Sequence, residues 1–288
     1  RAGMPEGLIN IVTGHTAEIG AELTGNPLVR KLTFTGSTAV GKQLIAECAQ
    51  TVKRTSMELG GNAPFIVFDD ADIDKAVQGA MMSKYRNAGQ TCVCSNRLII
   101  QSGIYDEFAE KLTAAVQALK VGNGVEEDVT IGPLIDAKAA NTVCGFIDDA
   151  LAKGAILSAG GGRSELGASF VEPTILTNVS ANMRVFSEEI FGPVAPLLKF
   201  ETEAEVVRMA NDTEYGLAAY FYSRDIGRVW RVAEQLEYGI VGVNEGVVSN
   251  EMAPFGGVKE SGAGREGSKY GMDDYMEMKY ICMGGIDS

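Results

Sequence analysis

Hydrophobic positions in this chain follow two rhythms. Ile73, Ala76, Val77, Ala80 and Met81 recur at helical spacing, and Asn87 and Gly89 then supply a helix stop. Arg97-Leu98-Ile99-Ile100 and Phe65-Ile66-Val67-Phe68 are short continuous runs that predict buried strands, the second closed by Asp69-Asp70. Further strands are expected at 9–12, 29–35, 170–176 around Pro173, 239–244 and, last, 275–283. Helices are expected at 17–23, 38–50, 105–119, 141–153, 204–211 and 226–236. Residues 57–62 carry a Gly-Gly turn, 185–194 read as a loop, and 254–267 as a long glycine-rich loop. Strand, glycine turn and helix in succession predict an α/β class with a parallel sheet. No repeat or linker divides the chain.

Between the first helix and strand named above lies Tyr85 to Asn96, with Cys92 and Cys94 among small and polar residues. A short helix-to-strand connection suits a nucleophile. Arg86, in the last helical turn, is expected to bring positive charge near the Cys92 thiol and favour thiolate. The plain alternative is an inert, packed cysteine.

Composition narrows the chemistry. The 288 residues are 45% hydrophobic and 22% charged, enough for one large or two medium domains. A net charge of −13 would repel a phosphate backbone, so nucleic acid is not an expected partner. No apolar run approaches the ~18 residues of a membrane span, and no charged-then-apolar leader opens the sequence. The 5 cysteines are odd in number and irregularly spaced, which favours a reducing, cytoplasmic setting over a disulfide framework. The single histidine, His15, excludes HExxH zinc chemistry and leaves a carboxylate as the expected general base. One CxC pair without a second gives no closed metal site.

Four further stretches carry candidate chemistry, each beside a plainer reading. Gly36-Ser37-Thr38-Ala39-Val40-Gly41 sits at a strand-to-helix turn, where free N–H groups and the positive dipole end suit a phosphate; an ordinary N-cap is the alternative. Met57-Glu58-Leu59-Gly60-Gly61-Asn62 places a lone carboxylate among apolar neighbours. There Glu58 could hold a raised pKa and act as a base, or be a surface residue beside a turn. Glu189 and Phe191 offer a carboxylate for ribose hydroxyls and a ring for a nicotinamide, or a solvated helix start with Phe191 in the core. Pro254 to Glu266 is long enough to serve function or scaffold.

Taken together, these stretches resemble the aldehyde dehydrogenase superfamily. Met57 to Pro64 is similar to its glutamate signature and Tyr85 to Asn96 to its cysteine signature. Gly36-Ser37-Thr38, Glu189 to Pro193 and Pro254 to Glu266 match further family motifs in order. Within the family, Arg86-Asn87-Ala88-Gly89-Gln90-Thr91-Cys92-Val93-Cys94, Ser249-Asn250-Glu251 before Pro254-Phe255-Gly256-Gly257, and Arg265 to Gly271 most resemble succinate-semialdehyde dehydrogenases.

The resemblance implies roles. Cys92 attacks the aldehyde, and Glu58 activates the water that hydrolyses the thioester. Gly36 and Ser37 contact the pyrophosphate of NAD or NADP, Leu59 lies against the nicotinamide, Glu189 binds its ribose and Phe191 sits beside the ring. Arg86 and Ser249 hold the distal carboxylate of a small aldehyde substrate. Cys94 resembles the partner in a reversible Cys92–Cys94 disulfide; a small buried side chain is the alternative. The implied fold is an incomplete Rossmann-type nucleotide domain over residues 1–60, an α/β catalytic domain over 61–259, and a carboxy-terminal loop, helix and oligomerisation strand over 260–288. The implied assembly is a homo-oligomer, a dimer or tetramer. The family's amino-terminal portion has no counterpart here, so the chain alone is expected to bind cofactor poorly, turn over slowly and expose sheet edges. Another short ω-carboxylated aldehyde, such as glutarate semialdehyde, is the second expectation. A catalytically silent binding or structural protein is the third.

Overall fold

The computed structural model describes residues 3–285. In chain order its elements are α1 (Thr16–Gly25), β1 (Lys31–Thr35), α2 (Thr38–Cys48), β2 (Arg54–Glu58), β3 (Ala63–Val67), α3 (Ile73–Lys84), β4 (Ser95–Gln101), α4 (Tyr105–Gln117) and α5 (Ala137–Ala152). Then follow β5 (Ile156–Ala159), β6 (Thr174–Thr177), α6 (Arg184–Ser187), β7 (Val194–Phe200), α7 (Glu203–Asn211), β8 (Ala218–Tyr222), α8 (Ile226–Gln235), β9 (Ile240–Val243) and β10 (Gly262–Ala263).

Two sheets result. The larger has the order β5-β6-β7-β4-β3-β8-β9, parallel throughout except for the antiparallel edge strand β5. Strands β3 and β8 are buried along their whole length, because helices cover both faces of a parallel sheet. That is why Phe65-Ile66-Val67 shows no alternation. The smaller sheet joins β1 and β2 in parallel through the α2 crossover, and β10 adds antiparallel to β2. Side-chain oxygens start the helices: Asp72 accepts from the Lys75 N–H, Asp136 from Ala139, and Thr202 with Glu205 closes a capping box on α7.

Several sequence expectations need correction. Residues 9–12 form no strand; Ile11 and Val12 are exposed, and among the described residues none pairs with them. Residues 276–283 form no strand either, and Met278 and Tyr280 lie in solvent without a neighbouring edge. Residues 270–275 instead make a short 3₁₀ turn. Strands β2, β5, β7 and β8 occupy stretches read as turn, loop or nothing. Pro196 lies inside β7, opposite Leu176 of β6 and one residue before pairing with β4 begins at Leu197.

Candidate active site

Helix α3 sets the site. Its buried face carries Ala76, Val77, Ala80 and Lys84, and it ends at Tyr85. The chain then turns sharply, with Asn87 and Ala88 both at φ 54°. Left-handed alanine is strained, and such strain concentrates where a loop must be aimed. The turn leaves Cys92 half-buried, three residues before β4 begins.

Glu58 ends β2, paired with Thr35. Its side chain is 5% exposed, and its Oε2 atom is buried without a hydrogen-bond partner. Burial, reinforced by the Glu266 charge and opposed by Arg265, pushes its pKa up to about 7. The glycine loop closes over it: a Cβ built on Gly256 would sit 3.0 Å from Glu58 Oε1. Gly61 brings the two signatures together, since a Cβ there would lie 2.5 Å from the Cys92 carbonyl oxygen. Only a glycine permits that approach.

A third segment joins them. Asn96 donates to Asn62 Oδ1 at 2.7 Å and to the Glu188 carbonyl at 2.9 Å, and it accepts from the Ile190 N–H at 3.0 Å. This fixes Glu189, whose Oε1 accepts from the Gly61 N–H at 3.0 Å. Burial pushes Glu189 up to about 7 as well, against that hydrogen bond and the Lys84 charge. Ser261 locks the turn by donating to the Gly60 carbonyl at 2.6 Å and accepting from Gly216 at 2.8 Å.

The remaining candidates lie around this centre. The Gly36 N–H donates to the Glu58 carbonyl at 3.0 Å, and Ser37 caps α2 by accepting from Val40. Leu59 is buried against Gly41. Phe191 is 45% exposed, so it is not a core residue, and it holds φ 50°. Cys94 is buried, and both it and Cys92 are free thiols. Arg86 and Ser249 are exposed and not bonded to each other. Arg86 lines a cavity of about 330 Å³ with Met82, Tyr85, Leu119 and Val247, two residues before Ser249.

One electrostatic expectation is overturned. Burial pushes the Cys92 thiol above its ordinary value, and the Glu189 and Glu58 charges push it further. Arg86 acts instead on Cys94, a smaller influence there than that of Lys84. The sequence reading also missed Lys84, Asn96 and Ser261. Lys84 had a signal: it continues the apolar stripe of α3, where a lysine does not belong unless paired.

A buried carboxylate at Glu58, the Cys92 turn and the glycine-rich cover follow in that order along a chain whose residues 1–281 match the aldehyde dehydrogenase family. The chain belongs to the aldehyde dehydrogenase family. It is 66% identical over 287 residues to the 3-sulfolactaldehyde dehydrogenase of Pseudomonas putida, covering 100% of this chain and 59% of that protein. It is 63% identical to the glutarate-semialdehyde dehydrogenase of Pseudomonas aeruginosa, again over 59% of the relative. Among solved structures, succinate-semialdehyde dehydrogenase from Burkholderia pseudomallei superposes with a TM-score of 0.96 at 63% identity, covering 98% of this chain and 58% of that one. The chain thus spans about three-fifths of the length of the family relatives it matches. Among the described residues, no helix is long and apolar enough to cross a membrane.

Proposed function

We propose that this chain carries the nucleophile, the base and part of the cofactor cradle of an NAD- or NADP-dependent dehydrogenase for short aldehydes with an anionic far end. Succinate semialdehyde is the principal substrate class, with glutarate semialdehyde second. The observation that carries the reading is the approach of the Glu58 and Cys92 segments across Gly61, close enough for the Glu58 charge to act on the Cys92 thiol, with the Glu58 pKa held at about 7. The names of the relatives add support: all three describe a short aldehyde bearing a carboxylate or a sulfo group.

The residues present fit the cofactor. A cleft of about 620 Å³ between α1 and α2 is lined by Thr16, Ala17, Gly20, Val40 and Leu44, an apolar slot suited to an adenine. Ser37 and the free N–H groups at the start of α2 suit the pyrophosphate. Gly60 leaves room beside Glu189, since a Cβ there would lie 2.7 Å from Glu189 Oε2; that oxygen would accept from the ribose hydroxyls. Leu59 and Phe191 would flank the nicotinamide. When bound, the cofactor supplies the hydride acceptor that turns a Cys92 thiohemiacetal into a thioester.

The chain's own groups do the rest. The Cys92 sulfur adds to the aldehyde carbon, and the same sulfur later leaves readily as thiolate. Glu58 takes a proton from the water that attacks the thioester, for which a pKa near 7 is well matched. Arg86 has no hydrogen bond or ion pair among the described residues, so its guanidinium is available to grip an anionic substrate end. Ser249 would add a hydroxyl on the same side.

A chimera tests this. The chain replaces the matching segment of the Burkholderia pseudomallei enzyme, and oxidation of succinate semialdehyde is followed with NAD and with NADP. Turnover that is lost in Cys92→Ser and Glu58→Gln supports the reading. A folded chimera whose turnover survives Cys92→Ser sinks it.

A further inference from the structure

The mechanism above leaves Lys84 unused, although this side chain is fully buried beside the catalytic turn. Burying an amine without a matched partner is costly, so Lys84 calls for a reason. Its Nζ donates to Cys94 Sγ at 3.5 Å, and the Cys94 thiol donates to the Lys84 carbonyl at 3.5 Å. The two side chains are therefore in contact and both buried, two residues along the turn from Cys92. The other charged groups acting on this pair are Glu189, from the segment after α6, and Arg86, at the end of α3. Burial pushes the Lys84 ammonium below its ordinary value and the Cys94 thiol above its own. Both shifts favour the neutral amine beside the neutral thiol, and a neutral amine has a lone pair to give.

We propose that Lys84 and Cys94 form a modification site, at which peroxide oxidation of the thiol is resolved by the lysine nitrogen as a covalent S–N crosslink. Lys84 Nζ takes the Cys94 proton as the sulfur attacks hydrogen peroxide; the sulfur is oxidised by two electrons to a sulfenic acid, and that proton leaves with the departing peroxide oxygen as one water, which returns the amine to its neutral form. Lys84 Nζ then attacks that sulfur. The S–N bond forms, the S–O bond breaks, and the hydroxyl leaves with an amine proton as a second water. One thiol, one amine and one peroxide give one sulfenamide and two waters. A thiol reductant reverses the link. The consequence is specific: Cys94 is withdrawn from any disulfide with Cys92, and the nucleophile stays free. No hydrogen bond joins Cys92 to Cys94 among the described residues, whereas Lys84 is already in contact with the sulfur.

The test uses the reduced 288-residue chain, exposed to hydrogen peroxide, quenched with iodoacetamide and digested so that residues 84–94 stay in one peptide. Tandem mass spectrometry is expected to find that peptide lighter by two hydrogens, linked between Lys84 and Cys94, with Cys92 alkylated. The Cys92→Ser chain, in which the buried pair is intact and no Cys92 disulfide can form, is expected to give the same link. Lys84→Met is expected to abolish it and leave a Cys94 sulfenic acid that a 1,3-diketone captures. A Cys92–Cys94 link with Lys84 free, a linked pair that has kept an oxygen, or a Cys92→Ser chain with Cys94 unlinked would each overturn the proposal. The wild-type and Cys92→Ser results decide the matter even where Lys84→Met does not fold.

Discussion

Replacing Glu58 by glutamine should stabilise the chain at alkaline pH and leave it unchanged at acid pH. In the folded state burial lifts the Glu58 pKa from 4.5 to about 7. Between these values the folded form holds a proton that the unfolded form has released, so stability falls as pH climbs through the window. Above it the full cost is present. The rise corresponds to about 3 kcal/mol, at roughly 1.4 kcal/mol per pKa unit. That is a large share of the ~5–15 kcal/mol that holds a typical domain together. Glutamine keeps the shape and cannot ionise. Urea unfolding of both chains should therefore give similar midpoints at pH ~5, with Glu58→Gln ahead by up to about 3 kcal/mol at pH ~8. Glu189 titrates in the same window in both chains and cancels from the difference. An equal difference at both pH values would mean that Glu58 ionises as it does in water, and the argument from its buried, unpaired Oε2 would fail.

Other expectations follow from the same geometry. In the chimera, kcat should rise with pH through about 7 as Glu58 loses its proton, and a kcat that is flat between pH ~6 and ~8 would remove Glu58 from the role of base. Glu189→Gln removes a negative charge that raises the Cys92 pKa, so alkylation of Cys92 at pH ~8 should speed up a few-fold; slower labelling would refute the assignment. Arg86→Ala should raise KM for succinate semialdehyde at least ~10-fold and leave neutral aldehydes nearly unaffected, the loss expected for one charge-assisted contact. An equal effect on both would remove Arg86 from the substrate site. Gly61→Ala drives a Cβ to 2.5 Å from the Cys92 carbonyl, where backbone must move. It should cost about 1–3 kcal/mol in thermal unfolding.

Local pattern made much of the fold legible, and long-range closure hid the rest. The stripe Ile73, Ala76, Val77, Ala80, Met81 and the runs at 65–68 and 97–100 announced α3, β3 and β4, because each carries its own periodicity. Strand β8 starts with Ala218-Ala219, residues without strand preference, and exists because β3 and β9 flank it. Residues 9–12 and 276–283 have strand composition but no neighbouring strand among the described residues, and composition alone does not make a strand. In the site, Glu58 was visible as a lone acid among apolar residues. Its burial depends on Gly256 and Ser261, from a loop far along the chain, which no local window contains.

The Arg86 expectation failed for an instructive reason. Sequence adjacency placed its charge near Cys92, but the helix end sends the arginine outward while the turn at Asn87 and Ala88 swings the thiol inward. What Cys92 faces is two carboxylates, both held near 7 by burial. Either carboxylate, once ionised, makes ionisation of Cys92 harder. At neutral pH both burial and these charges therefore favour the protonated Cys92 thiol. Positive charge brought between them would lower the pKa of Cys92 and of both carboxylates. On this electrostatic ground a cationic occupant would favour the Cys92 thiolate, a part that Arg86 does not play, since its charge acts on Cys94 instead.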